Sequence, residues 1–228
     1  MSLKIKGWKK IASIVGWSLL AILLAAYVIR LATWESVYYS EKEGSERAIT
    51  DPIEPQAQLD ETEPAAETVR EYTVAADRPR YLTIPKLGIS NARVLAVGIN
   101  QKGQLGTPNN IYDVGWYDSS SKPGQPGTVL IDGHKGGSSK PGVFNDLPSL
   151  AVGDIIEITR GDNVIFKYIV KENKTVALSE SNEYMKTALK SPEAGKQSVT
   201  LISCTGEWNY NENTYNSRQF TRAVLVEE

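Results

Sequence analysis

The chain has 228 residues, which is enough for one domain of ordinary size with extensions, or for two domains. Hydrophobic residues make up 41% and charged residues 23% of it, a composition typical of globular proteins that excludes a wholly disordered chain. The formal net charge of -2 argues against a nucleic-acid-binding protein, which normally presents a basic face.

Residues 1–40 contain the longest apolar run of the sequence. Four lysines precede residues 11–29, which are 19 residues without a charged side chain. A helix of this length approaches the ~30 Å hydrocarbon core of a bilayer. We therefore predict one transmembrane signal anchor, with a cleaved signal peptide as the alternative. The lysines in front and the aromatic residues behind place the N-terminus in the cytoplasm and the rest outside the cell membrane.

Residues 41–80 differ from the segments on either side. They hold eleven acidic side chains, five basic ones and four prolines, but only one aromatic residue, Tyr72. Such a segment buries little apolar surface to offset its conformational entropy. We predict a disordered acidic tether.

Residues 81–228 form the third zone, in which short runs of alternating apolar residues are separated by Gly, Pro, Asn and Asp. This pattern predicts strands at 81–84, 91–97, 128–132, 154–159, 164–171, 198–203 and 222–226. Helical patterns are confined to 143–150 and 182–189. The fold class predicted is mostly β, an antiparallel barrel or sandwich with short helices.

The only histidine and the only cysteine both follow predicted strands. His134 comes after the strand at 128–132, and Cys204 ends the run that begins at Ser198. Neighbouring strands would bring both side chains to one rim of the sheet. Taken alone, each is more often a packing residue than half of a catalytic pair. One cysteine excludes an intrachain disulfide, and so small a Cys and His content predicts no metal.

Further segments around these two residues resemble the sortases, which are cysteine transpeptidases of bacterial cell surfaces. Residues 128–134 are similar to the histidine strand of that family, and residues 142–156 to the short helix and strand that follow it. The sequence Thr-Leu-Ile-Ser-Cys at 200–204 is similar to the family signature Thr-Leu-x-Thr-Cys. It departs from that signature only at Ser203, which keeps the hydroxyl of threonine and lacks the methyl.

Two more segments extend the resemblance over essentially all of residues 81–228. Residues 222–226 resemble the late strand that begins with the family's essential arginine, and residues 113–117 look more like the class E and F branches than class A. The resemblance implies a closed β-barrel after the membrane helix. It also implies that Cys204 is the nucleophile, His134 a general acid and Arg222 the stabiliser of the oxyanion, with no cofactor.

The substrates follow from the same resemblance. It implies cleavage of the Thr-Gly bond of an LPXTG-like sorting signal on surface proteins, and transfer of the acyl group to an amine of a cell-wall precursor or a pilin.

A second arginine, Arg218, competes with Arg222 for the role beside the cysteine. Arg218 lies in a polar stretch that predicts a loop, whereas Arg222 begins an apolar run that predicts a strand. Because a rigid element preorganises charge better than a loop does, the sequence favours Arg222.

Two other classes of protein remain as alternatives. An L,D-transpeptidase is also β-rich and depends on Cys and His, but its Ser-His-Gly-Cys neighbourhood does not occur around Cys204. The other alternative is a non-catalytic surface-display domain, in which Cys204 would be an unreactive packing residue.

Overall fold

The computed structural model describes residues 59–100 and 103–227. Within them, the strands are β1 (Pro79–Ile84), β2 (Ile89–Val97), β3 (Val114–Tyr117), β4 (Thr128–Gly133), β5 (Ile155–Arg160), β6 (Ile165–Ala177), β7 (Ser198–Asn209) and β8 (Thr214–Leu225). The α-helices are α1 (Ala66–Glu71) and α2 (Leu178–Ala188), and short 3₁₀ helices cover Pro85–Leu87 and Leu147–Ser149.

The strands close into a barrel in the order β1-β2-β3-β4-β7-β8-β6-β5. The pairs β2–β3 and β4–β7 are parallel, and the other pairs are antiparallel. The predicted mostly β barrel is therefore confirmed. The two parallel pairs differ from the largely antiparallel sheet that we predicted.

Two apolar clusters lie on opposite sides of the barrel wall. Alternate residues of β4 and β7, such as Ile131 and Leu201, point into the barrel and join its main core. Their neighbours Leu130 and Ile202 point outward, and there they pack with Phe220 and with residues of α2. The outer face of β4, β7 and β8 is thus partly covered by α2, at the end that carries Thr200 and Arg222. The other end of this face, at Cys204 and Arg218, is called the open end below.

Part of the predicted tether is ordered, which corrects the prediction for residues 59–80. The hydroxyl of Tyr72 donates to the carbonyl of Val94 on β2 at 2.6 Å, and Arg80 Nε donates to the carbonyl of Tyr72 at 2.6 Å. Hydrogen bonds and one aromatic anchor attach this segment to the barrel, although its composition is acidic and poor in apolar residues.

The remaining N-terminal predictions lie outside the described residues, namely the membrane anchor at 1–40 and the tether at 41–58. Among residues 59–100 and 103–227, no helix is both long enough and apolar enough to cross a membrane.

Candidate active site

Three neighbouring strands carry the residues of the candidate site at one level of the outer face. Parallel pairing sets Asp132 of β4 beside Ile202 of β7, where the printed register ends. One residue further, Ser203 Oγ donates to the carbonyl of Gly133 at 2.9 Å, so the residues that follow, His134 and Cys204, lie on neighbouring segments. In the antiparallel β7–β8 pair, Cys204 lies opposite Arg218. Adjacent strands are ~4.8 Å apart. The topology therefore brings the single histidine and the single cysteine together, with an arginine on the far side of the thiol.

The ring of His134 is oriented by the loop before β3. Nε2 lies 2.7 Å from the carbonyl oxygen of Pro108. Because a carbonyl oxygen can only accept, Nε2 carries the hydrogen of this bond. Nδ1 is then the nitrogen that can take up or release a proton.

Cys204 is half-buried, and its surroundings act on the thiol in opposite directions. Burial raises the pKa of the Cys204 thiol, and the negative charge of Asp132 raises it further. The positive charges of Arg218 and Lys135 and a hydrogen bond with Thr214 lower this pKa, but burial outweighs them. The resting thiol is therefore protonated at neutral pH, and it needs a base to become a nucleophile.

Arg218 holds its guanidinium with neutral partners. Nη1 donates to the carbonyls of Tyr215 and Ser217 at 2.9 and 3.0 Å, and Nη2 donates to the hydroxyl of Thr214 at 3.0 Å. Within the described part of the chain, Arg218 forms no ion pair. Its positive charge is thus fixed in place beside the thiol and is not neutralised by a carboxylate.

The structure does not bring Arg222 to Cys204, and the choice of arginine needs correction. Arg222 lies opposite Thr200, four residues along the strand, which is ~13 Å at about 3.3 Å per residue. Its side chain is only 8% exposed and forms an ion pair with Glu172. The preference for Arg222 assumed that the closing strand begins there. β8 in fact begins at Thr214, so Arg218 also stands on a strand.

Asp132 is a neighbour of the site that the sequence analysis missed. It accepts a hydrogen bond from the hydroxyl of Thr107. Burial raises the pKa of Asp132, against this hydrogen bond and the positive charges of His134 and Arg218, which lower it. The spacing of Asp132 and His134 was the available signal, because residues two apart on a strand share a face.

The β7–β8 hairpin extends beyond the site as an exposed ribbon. The rings of Trp208 and Tyr215 meet edge to face at 5.2 Å, and Lys135 Nζ lies 4.4 Å from the centre of the Tyr215 ring. The ribbon continues from Cys204 on the side away from α2. Among the described residues, no three His, Cys, Asp or Glu side chains gather closely enough to hold a metal ion.

Comparison with known proteins assigns the fold to a family. The family model of the sortase domain matches residues 82–226. A Clostridium perfringens sortase D5 transpeptidase is 21% identical, with 71% of this chain and 86% of that chain covered and a TM-score of 0.46. SrtA sortase from Actinomyces oris is 17% identical, with 75% and 87% covered and a TM-score of 0.48. A search among curated proteins found no match. Because the family model covers well over half of the chain, the chain belongs to the sortase family of cysteine transpeptidases.

Proposed function

We propose that this sortase is membrane-anchored, cleaves an LPXTG-like sorting signal between Thr and Gly, and transfers the acyl fragment to an amine. The observation that carries the proposal is the row of His134, Cys204 and Arg218: Arg218 of β8 lies opposite Cys204, and on the other side of β7 Ser203 bonds to Gly133, the residue before His134. A thiol, a titratable imidazole and a fixed cation are the groups that acyl transfer through a thioester needs.

The first step makes the nucleophile. Burial keeps the Cys204 thiol protonated, so the thiolate forms as the proton passes to Nδ1 of His134. The positive charges of Arg218 and Lys135 lower the cost of the thiolate. The sulfur then attacks the carbonyl carbon of the threonine, and the carbonyl oxygen takes up the electron pair as an oxyanion.

The next steps transfer the acyl group. Arg218 stabilises the oxyanion, because its guanidinium is held in place and keeps its charge. As the oxyanion collapses, the bond to the glycine nitrogen breaks and His134 donates its proton to the departing amine. An acceptor amine then attacks the thioester and gives a proton to His134, and the Cys204 thiolate leaves.

The proposed partners are surface proteins that carry the sorting signal, and an amine of a cell-wall precursor or a pilin. The lysines before the uncharged run at 11–29 support an N-terminus in the cytoplasm and a catalytic domain outside the membrane. Protease added to intact protoplasts should then release the catalytic domain. Complete protection until the cells are lysed would reverse this orientation.

The experiment for the activity uses the full chain in detergent. It is incubated with a library of LPXTG-like peptides and candidate amines, and products are identified by mass spectrometry. We expect new amides at the threonine carboxyl, and none with Cys204→Ala. If neither wild type nor variant cleaves any peptide, and the thiol does not react with iodoacetamide, the chain is a display domain.

A further inference from the structure

Residues 59–62, called the strap below, pair with the loop before β3. Asp60 N donates to the carbonyl of Asn109, and Ile111 N donates to the carbonyl of Asp60, both at 3.0 Å. The side-chain amide of Asn110 adds bonds to the Asp60 carboxylate at 3.0 Å and to the carbonyl of Thr62 at 2.8 Å. The strap therefore holds residues 109–111 through both backbone and side chains.

The next strap residue, Glu61, holds a second loop. Its carboxylate accepts hydrogen bonds from the backbone amides of Ser138 and Ser139 and from the Ser139 hydroxyl. These bonds lower the pKa of Glu61, and the bond from the Ser139 hydroxyl lowers it most, so the group is an anion at neutral pH. A Cβ on Gly137 would collide with Glu61 Oε1, so the loop closes tightly around the carboxylate.

Both of the segments held by the strap also hold His134. The first provides the carbonyl of Pro108, which accepts the hydrogen of the ring Nε2 at 2.7 Å. The second is the hairpin that continues directly from His134, where Gly142 N donates to the carbonyl of Lys135 at 2.8 Å. Phe144 N closes it by donating to the carbonyl of His134 at 2.9 Å.

We propose that Glu61 is a positioning residue for His134. By joining the loop before β3 to the hairpin after β4, it keeps the imidazole against Pro108 in the tautomer with hydrogen on Nε2. Nδ1 is thereby left to exchange protons with the thiol and the substrate amines. This inference rests on the proposed role of His134, and Glu61 itself touches none of the reacting atoms.

The test uses the fact that the chain has a single histidine. Full-length protein labelled with ¹⁵N-histidine is studied in detergent at about pH 9, where a free imidazole is neutral. In the wild type we expect the NMR shifts of one tautomer, protonated at Nε2. Glu61→Ala should give a mixture of tautomers. Glu61→Gln, which keeps one acceptor oxygen, should retain more of the wild-type signal, and Glu63→Ala should retain all of it.

Kinetics supply the second measurement. We expect Glu61→Ala to lower kcat about 10- to 100-fold with KM within about twofold, because small displacements of a catalytic group cost this much. If Glu61→Ala does not fold, Ser139→Ala, which removes one donor to the carboxylate, takes its place in both measurements. An unchanged tautomer overturns the inference, as does a changed tautomer with unchanged kcat. The NMR measurement needs no turnover, so a wild type without transferase activity would overturn the proposed function alone.

Discussion

The outer face of the β7–β8 pair has two ends, and each end carries an arginine of β8 opposite a residue of β7. At the open end, Arg218 faces Cys204, and its guanidinium binds neutral carbonyls and a hydroxyl. At the covered end, Arg222 faces Thr200 beneath α2 and is paired with Glu172. The two arginines share a strand and a face, but their partners differ.

This difference separates a group available for chemistry from a group used for structure. Arg222 Nη2 also donates to the carbonyl of Lys190 at 2.9 Å, and Thr200 donates to the carbonyl of Ala188 at 2.7 Å. The covered end therefore attaches the C-terminal end of α2 to the barrel. Because Glu172 neutralises the charge of Arg222, this arginine would stabilise an oxyanion only weakly. Among the described residues, no carboxylate forms an ion pair with Arg218.

The largest effect is expected at the open end, from loss of His134. His134→Ala should lower kcat/KM by about 10²- to 10⁴-fold, because both halves of the reaction need a proton transfer. His134→Asn should be no better, since an amide can form a hydrogen bond but cannot titrate. Steady-state assays of the full chain measure this loss. Near wild-type activity in His134→Asn would show that the ring only orients the substrate.

Loss of Arg218 should have the next largest effect on rate. Arg218→Ala should lower kcat about 10²- to 10³-fold, the usual cost of removing an oxyanion donor. Arg218→Lys should recover little of it, because one ammonium does not reproduce the planar fork of donors. Arg222→Ala, assayed at a temperature where it is folded, is the matched control. An active Arg218→Ala beside an inactive Arg222→Ala would restore Arg222 to the site.

At the covered end, the expected effect is on stability. Arg222→Ala leaves Glu172 without its ionic partner and should lower the free energy of unfolding by about 3 kcal/mol. This is the lower end of the cost of breaking a buried ion pair, because Glu172 is partly exposed. Urea unfolding followed by tryptophan fluorescence measures this change. Arg218→Ala should change the free energy of unfolding by less than about 1 kcal/mol. Equal losses for the two variants would remove the distinction between the ends.

The smallest effect concerns the pH dependence of the thiol. Because burial raises the pKa of Cys204, its alkylation rate should increase with pH around a midpoint above the ordinary thiol value of about 8.5. Arg218→Gln removes a cation that lowers this pKa, so the midpoint should rise. Asp132→Asn removes an anion that raises it, so the midpoint should fall. Iodoacetamide rates from pH 6 to 11 test both shifts, and Arg222→Gln should shift nothing.

The barrel was predictable from the sequence where strands alternate between an apolar and a polar face. This held for β1 and β5. β4 is buried on both faces, and its longer apolar run, Val129 to Ile131, predicted it instead. The bounds of all three strands lie within two residues of the prediction. β3 was missed because Val114, Gly115 and Trp116 are all buried and show no alternation. Here a glycine allows close packing, since a Cβ on Gly115 would lie 3.0 Å from Val97.

The error over the arginine has a related cause. In the β7–β8 ribbon, residues 209–217 are polar on both faces, so the sequence predicted a loop where the structure has a hairpin. The docking of residues 59–80 on the barrel could not be predicted, for another reason. It depends on hydrogen bonds to backbone carbonyls and amides, and these cannot be inferred from amino-acid composition. His134 and Cys204 could be selected because each is the only residue of its type and each follows an apolar strand.

The most direct test of the proposed site is the position of the covalent intermediate. The full chain is mixed with an LPXTG-like peptide in the absence of an acceptor amine, and its intact mass is followed. The row of His134, Cys204 and Arg218 predicts an adduct with the mass of the fragment ending in threonine, labile to hydroxylamine and located on Cys204. Peptide transfer without such an adduct, or transfer by Cys204→Ala, would contradict the proposed mechanism.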